Sequence, residues 1–140
     1  MKKVFYLLMI NFIFVLSGCG DKNQSLQCTM SQDAYIGKSV QEILLSFDNN
    51  LFKQANVSIQ IDVDDDYKDY ASTYFDGLKS EYKSLEKLYN IKYDIKENNY
   101  NMKVTYQLDF SLFQNVFGTT VGKERNDIIS FLKTQGYSCK

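Results

Sequence analysis

The sequence contains no histidine, no proline and no tryptophan among its 140 residues. Without histidine the chain lacks the side chain most used for general acid-base catalysis and for zinc ligation, which excludes most familiar hydrolase sites. It also has no Cys-x-x-Cys pair, no Gly-x-Ser-x-Gly turn and no glycine-rich phosphate loop. Its hydrophobic share of 44% and aromatic share of 15% favour one folded domain over a disordered chain. We therefore predict a small folded domain that is not an enzyme and needs no cofactor.

The first 18 residues have the form of a secretory signal peptide. Two lysines precede a largely apolar run over residues 4–16, which is shorter than the about 20 residues that a spanning helix needs. The Leu-Ser-Gly-Cys motif at residues 16–19 resembles the bacterial lipobox, whose cysteine receives a diacylglyceryl thioether before cleavage. We predict a lipoprotein signal peptide at residues 1–18 and lipidation of Cys19. The alternatives are a plain signal peptide or an uncleaved anchor.

The chain that begins at Cys19 has 14 basic and 17 acidic residues, which gives a net charge of −3. This charge disfavours nucleic acid as a partner and also a polybasic contact with lipid headgroups. The predicted attachment is the lipid itself, which would hold a monomer on the extracytoplasmic side of a bacterial cell membrane. Residues 19–25 are predicted to be the lipidated cysteine and a flexible tether, and residues 26–140 a single domain.

Two further cysteines, Cys28 and Cys139, lie near the two ends of this domain. An exported protein occupies a compartment in which disulfides persist, so we predict a bond between them. Two free thiols are the main alternative. A redox or metal site is disfavoured, because two thiolates without histidine make a poor zinc site.

Apolar residues alternate with polar ones in five segments and recur at spacings of three and four in two others. The predicted strands are residues 26–30, 40–47, 55–63, 91–95 and 100–110, and the predicted helices are residues 67–89 and 123–135. Residues 48–50, Asp-Asn-Asn, predict a hairpin turn, and residues 111–122 are expected to be irregular. The order βββαββα predicts a two-layer α+β domain with a mostly antiparallel five-stranded sheet, both helices on one face and a polar opposite face.

Asp62, Asp64 and Asp66 have the spacing with which an EF-hand calcium loop opens. The match then fails, because Tyr67 stands where glycine is required and Thr73 where the bidentate glutamate should be. We interpret these carboxylates as a cap for the following helix and predict no metal site.

Four of the 11 tyrosines, Tyr67, Tyr74, Tyr82 and Tyr89, lie near one stripe of the longer predicted helix. They could line a groove for a glycan or an apolar ligand between helix and sheet, since a ring with a hydroxyl suits both. The alternative is that they form the core between helix and sheet. No pair of carboxylates sits among apolar residues that would raise a pKa, so a glycosidase-like site is not predicted.

The layout also resembles the YehR-like small bacterial lipoproteins. The residues that carry the resemblance are the lipobox, the Cys28-Thr29 pair in the first strand, a tyrosine-rich helix, and the ending Gln-Gly-Tyr-Ser-Cys-Lys at residues 135–140. The resemblance implies an envelope lipoprotein without catalytic residues. We therefore expect a noncatalytic binding or interaction module, with a carrier of a small apolar or glycan ligand as the alternative.

Overall fold

The computed structural model describes residues 23–140, so the predicted signal peptide and Cys19 lie outside the described residues. One antiparallel sheet of six strands, in the order β4-β5-β3-β2-β1-β6, carries three α-helices and one 3-10 helix. The elements are β1 Asn23–Ala34, β2 Gly37–Asp48, β3 Leu51–Val63, a 3-10 helix Asp65–Tyr70, α1 Ala71–Tyr89, β4 Asp94–Glu97, β5 Asn101–Leu108, α2 Phe110–Phe117, α3 Arg125–Thr134 and β6 Ser138–Cys139. The predicted α+β class with an antiparallel sheet is confirmed.

The first three strands form a long meander of 12, 12 and 13 residues. Asn49 and Asn50 join β2 to β3 with φ angles of 51° and 63°, as a two-residue hairpin turn requires. The predicted turn at residues 48–50 is thus confirmed. β1 starts at Asn23, opposite Asp48. Residues 23–25, predicted as tether, therefore belong to the sheet, because backbone pairing with β2 does not depend on apolar side chains.

The long helix begins differently from the prediction. Its first turns, Asp65–Tyr70, are a 3-10 helix, in which the Tyr67 amide donates to the Asp64 carbonyl at 3.0 Å. The Asp64 side chain makes no capping hydrogen bond, so the predicted capping role is wrong in that detail. At the other end Asn90 adopts a left-handed conformation with φ of 55° and ends α1 at Tyr89.

The buried side chains lie on one face of the sheet. Val57 of β3 pairs with Ile43 of β2 and with Tyr106 of β5, and Ile43 pairs with Cys28 of β1. Ile61, four residues from Val57, points to the same side and joins a cluster with Phe75 of α1. In a second buried cluster on this face, the side chains that come from helices are Phe113 of α2 and Ile128 and Leu132 of α3. Side chains from all three helices therefore meet this face.

The predicted counts of five strands and two helices are wrong. Residues 110–117, expected to be irregular, form α2, whose first turn is capped by Asp109 accepting a hydrogen bond from the Leu112 amide at 2.8 Å. Gly118, with φ of 59°, ends it. The sixth strand is the two-residue β6, in which Cys139 lies opposite Cys28. A strand this short has no alternation to recognise.

The sheet has two distinct ends, the base and the tip. The base comprises residues 23–25, 47–53 and 109–126, where β1 begins and where α2 and the start of α3 pack. The tip comprises residues 33–38, 62–74 and 98–100, which contain the β1–β2 turn, the 3-10 helix and the β4–β5 turn. Within residues 23–140, every helix is too short or too polar to cross a membrane.

Candidate functional site: a tyrosine-lined tip

Three segments that are distant in sequence meet at the tip through backbone hydrogen bonds. The Asp64 amide donates to the Ile36 carbonyl at 2.9 Å, which joins the start of the 3-10 helix to the β1–β2 turn. The Val63 amide donates to the Tyr100 carbonyl at 2.9 Å, which adds the β4–β5 turn. These backbone hydrogen bonds therefore hold the three segments of the tip together at one end of the sheet.

A surface cleft of about 500 Å³ opens between the β1–β2 turn and the helices. We call it the tyrosine cleft, and its lining residues are Tyr35, Ile36, Tyr67, Tyr70, Thr73 and Tyr74. Ile36 is buried, whereas Tyr35 is 89% and Tyr70 64% exposed. The cleft thus combines a buried aliphatic side chain with tyrosine rings open to solvent, a composition suited to recognising a ligand that is partly apolar and partly polar.

Exposed tyrosine is concentrated at this end of the molecule. Among residues 23–140, four tyrosines are exposed: Tyr35, Tyr67, Tyr70 and Tyr100. All four lie in the tip. Large rings left in water at one place usually mark a surface that contacts something else.

The four tyrosines predicted to line a groove, Tyr67, Tyr74, Tyr82 and Tyr89, lie in two separate places in the structure. Tyr67 and Tyr74 line the tyrosine cleft. Tyr82 lies in the core beside Tyr93, with 5.1 Å between ring centroids, and Tyr89 packs against the cluster under α2 and α3. Tyr67 and Tyr74 therefore belong to the candidate site. Tyr82 and Tyr89 belong to the core, as the alternative interpretation predicted.

Tyr82, Tyr93 and Tyr106 form a row of rings, which we call the tyrosine row. The Tyr93 and Tyr106 centroids are 4.9 Å apart. Burial raises the pKa of Tyr82 to about 12, with smaller contributions from Glu81 and the neighbouring tyrosines, and burial also raises the pKa values of Tyr93 and Tyr106. These hydroxyls stay protonated at physiological pH and serve packing.

Three residues of the tip, Tyr35, Tyr70 and Tyr100, were not predicted from the sequence as binding residues. Tyr35 and Tyr100 stand in turns, where no periodicity marks a side chain as functional. A large aromatic residue between Asp33 and Gly37, in a segment with no apolar alternation of its own, is the signal that could have found Tyr35.

Charged side chains of the 3-10 helix lie near the tyrosine cleft. Asp65 forms an ion pair with Lys68 at 2.7 Å, which lowers the pKa of Asp65 and raises that of Lys68 through their hydrogen bond. The Lys68 ammonium also lies 4.8 Å from the centre of the Tyr100 ring.

In the part of the chain that the structure describes, no group of three or more carboxylates or cysteines is placed to hold a metal ion.

A second cleft, of about 590 Å³, is lined by residues of β2, β3 and β5 together with Ile91 and Leu112. Its lining combines polar residues, Glu42, Asn56 and Ser58 among them, with apolar surface from residues such as Leu44 and Leu112. Leu44, 41% exposed, interrupts the sheet face that was predicted to be polar. Of the apolar residues that line this cleft, Leu44 alone is exposed, and a single exposed leucine is ordinary for a protein surface.

The Cys28 and Cys139 sulfur atoms are at disulfide-bonding distance, with their Cα atoms 4.0 Å apart. Residues on either side also pair, since the amide groups of Gln27 and Lys140 each donate to the other's carbonyl. The cysteine pair therefore joins the edge strand β6 to β1 and lies away from the tyrosine cleft.

No protein-family model matches the chain, and no curated protein matches it with significant similarity. A protein from Streptococcus pneumoniae TIGR4, solved by NMR, is similar to 88% of this chain over 89% of its own length. The sequence identity is 15% and the TM-score is 0.47, so this similarity assigns no function. The resemblance to YehR-like lipoproteins stays a prediction.

Proposed function

We propose that the chain is a lipid-anchored, noncatalytic binding module of the bacterial cell envelope, with the tyrosine-lined tip as its binding surface. The observation that carries this proposal is the placement of all four exposed tyrosines of residues 23–140 in the tip. The lipobox at residues 16–19 supports the location.

The position of β1 relates the anchor to the binding surface. Cys19 precedes the first residue of β1, Asn23, by four positions, and β1 runs from the base to the tip. At a rise of about 3.3 Å per residue, its 12 residues span roughly 35–40 Å. A lipid on Cys19 would hold the base beside the bilayer and present the tip away from it. In this orientation the partner comes from the envelope or the exterior.

The chemistry of the tip favours binding over catalysis. Lys68 lowers the pKa of Asp65, a carboxylate of the tip. A carboxylate that acts as a general acid needs the opposite, a raised pKa. The chain also has no histidine. We therefore assign contact, and no reaction, to this surface.

The anchor is tested by mass spectrometry of the membrane fraction. We expect the mature protein to begin at Cys19 with a diacylglyceryl group, and the Cys19→Ser variant to leave the membrane. A full-length product in the cytosol that retains its leader would overturn the anchoring part of the proposal.

The binding surface is tested by photo-crosslinking in intact cells. A crosslinking amino acid at Tyr35, 89% exposed, is compared with one at Leu88, 70% exposed on α1. We expect a discrete crosslinked species from position 35 that is lost when Tyr70→Ala is added, and none from position 88. Equal crosslinking from both positions, or from neither, would contradict the assignment of the tip.

A second candidate function is carriage of a small apolar or glycan ligand. It is favoured by Tyr67 and Tyr74, which line the tyrosine cleft as that hypothesis requires, although the cleft lies at the surface and not between helix and sheet. Titration with a hexamer of N-acetylglucosamine, followed by NMR shifts of the tip residues, tests it. Saturable shifts confined to the tip would support a carrier, and unchanged spectra would exclude that glycan.

A further inference from the structure

The tip is acidic as well as aromatic. Residues 33–38 and 62–70 contain six carboxylates and two lysines. The carboxylates are Asp33, Asp62, Asp64, Asp65, Asp66 and Asp69, and the lysines are Lys38 and Lys68. Of these six, Asp65 is the one that forms an ion pair within residues 23–140. The tip therefore has a net charge of −4, which is more negative than the −3 of the whole chain from Cys19, and it carries this charge beside open tyrosine rings.

The structure contains one example of how this surface holds a cation. The Lys68 ammonium lies 2.7 Å from an Asp65 oxygen and 4.8 Å from the centre of the Tyr100 ring. A cation above an aromatic face and against a carboxylate is stabilised by both, because the ring quadrupole and the negative charge attract it together. Lys68 thus occupies one combination of ring and carboxylate at the tip.

Rings and carboxylates are also neighbours in sequence at the tyrosine cleft, whose lining within residues 23–140 contains no lysine or arginine. Tyr67 and Tyr70 line this cleft, and the exposed carboxylates Asp66 and Asp69 lie beside them in the 3-10 helix. Tyr35 faces them from the β1–β2 turn. The cleft supplies rings for cation–π contact, and the carboxylates available for charge-assisted hydrogen bonds lie outside its lining, in the same 3-10 helix.

We propose that the tyrosine cleft binds a lysine-rich segment of a partner protein, with lysine stems against the rings and ammonium groups at the carboxylates. This inference rests on the proposed function, whose binding surface it specifies. Charge complementarity selects the occupant. A second copy of the chain would bring the same acidic tip, and an anionic polymer would be repelled.

The test uses the full chain, purified from membranes in a nonionic detergent, and an acetylated, amidated hexalysine peptide as the probe. Hexaglutamate and a neutral Gly-Ser hexapeptide are the control peptides. We expect saturable binding of hexalysine alone by isothermal titration calorimetry, weakening as salt is added.

Matched variants then separate the contribution of the tyrosine rings to binding from that of the carboxylates. Tyr35→Leu with Tyr70→Leu keeps the charge and much of the apolar volume but removes both rings, and should weaken binding about tenfold. Tyr35→Phe with Tyr70→Phe keeps the rings and should bind within about twofold of the native chain. All four substitutions are at exposed positions, so folding is expected to be unaffected.

The second pair of variants tests position. Asp66→Asn with Asp69→Asn removes two charges at the tip, and Glu81→Gln with Glu86→Gln removes two from exposed positions on α1. We expect the first pair to weaken hexalysine binding severalfold and the second to leave it nearly unchanged. Equal weakening by both pairs would show attraction to net charge alone and would overturn the proposal.

The inference and the proposed function fail in different ways. If position 35 crosslinks a discrete envelope partner but hexalysine does not bind, the tip remains a binding surface and the lysine-rich occupant is wrong. If hexalysine binds but the leucine variants bind equally well, the rings play no part and the inference is again overturned. Crosslinking from neither position would remove the binding surface itself.

Discussion

Six of the seven phenylalanines of residues 23–140 lie toward the base of the sheet, whereas all four exposed tyrosines lie at the tip. Six phenylalanines, which we call the phenylalanine cluster, pack together toward the base: Phe47, Phe52, Phe110, Phe113, Phe117 and Phe131. The ring centroids of Phe52 and Phe113 are 5.3 Å apart, and those of Phe113 and Phe117 are 4.7 Å apart. At the tip the rings are tyrosines, and four of them are exposed.

The difference follows from one hydroxyl group. A phenylalanine ring gains nothing from water and is stabilising only when covered, whereas a tyrosine ring can rest half in water with its hydroxyl solvated. The base is therefore a closed core that holds the fold together. The tip is a surface where rings remain available for a partner, and substitutions at the two ends should have opposite consequences for stability and binding.

The largest expected effect is loss of stability at the base. Phe113 is fully buried and contacts Phe52, Phe117 and Phe131, so Phe113→Ala leaves a cavity at the centre of the phenylalanine cluster. We expect the free energy of unfolding to fall by about 3–5 kcal/mol, measured by urea denaturation. Tyr35→Ala, the matched change at the tip, should alter it by less than about 0.5 kcal/mol. Similar losses in both variants would break the contrast between the two ends.

The cysteine pair should have the next largest effect. Cys28 lies in the same buried cluster as Phe113, and 111 residues separate it from Cys139. Replacing both cysteines with serine frees the unfolded chain from a long loop, and we expect a loss of about 2–5 kcal/mol. Reduction of the native protein should lower its stability similarly and leave the serine variant unchanged. If reduction leaves the native protein unchanged, the two thiols are not bonded.

A glycine substitution tests whether the backbone conformation of the tip is needed for stability and binding. A Cβ atom at Gly37 would meet the backbone carbonyl oxygen of Asp62, so Gly37→Ala must shift the β1–β2 turn that carries Tyr35. We expect a loss of about 1–3 kcal/mol and weaker hexalysine binding. The control is Gly77→Ala on the exposed side of α1, where nothing lies within 4 Å. That variant should gain about 1 kcal/mol from helix propensity and bind normally. Loss of stability in both variants would point to a general intolerance of alanine.

The parts of the fold that follow from local pattern were predictable. β3 alternates strictly from Ala55 to Val63, and the asparagines at 49 and 50 mark the hairpin turn. α1 keeps its apolar spacing to Tyr89. In contrast, α2 is only 8 residues long, and β6 consists of 2 residues defined by their pairing with β1. Such elements depend on distant contacts that periodicity does not contain.

The candidate site was predictable only in part for the same reason. Tyr67 and Tyr74 were found because both lie on one helical segment. Tyr35 and Tyr100 come from turns 65 residues apart in sequence, and backbone hydrogen bonds from Asp64 and Val63 bring those turns together. Tyr67 also falls in the 3-10 helix, where the 3.6-residue period no longer applies, so its ring reaches the cleft and not the core.

The smallest expected effect separates buried from exposed tyrosine hydroxyls. Burial raises the pKa of Tyr82 to about 12, against about 10 in an unfolded chain, so the folded state favours the neutral phenol. Stability should therefore be unaffected by this group below about pH 10 and should fall as the pH rises from 10 toward 12. Tyr82→Phe keeps the ring and removes the titration, so its unfolding free energy should decline less steeply over that range.

Burial alone, and not position at either end of the sheet, should decide this alkaline sensitivity. Tyr137 packs in the cluster under α2 and α3, and burial raises its pKa to about 12 as well. Tyr137→Phe should therefore reduce the alkaline loss of stability in the same direction as Tyr82→Phe, as measured by urea denaturation at pH 8, 10 and 11. If neither variant changes the slope, the loss at high pH comes from other groups. The hydroxyls of the tyrosine row would then be better solvated than their packing indicates, and the contrast between a closed core and an open tip would be weaker than proposed.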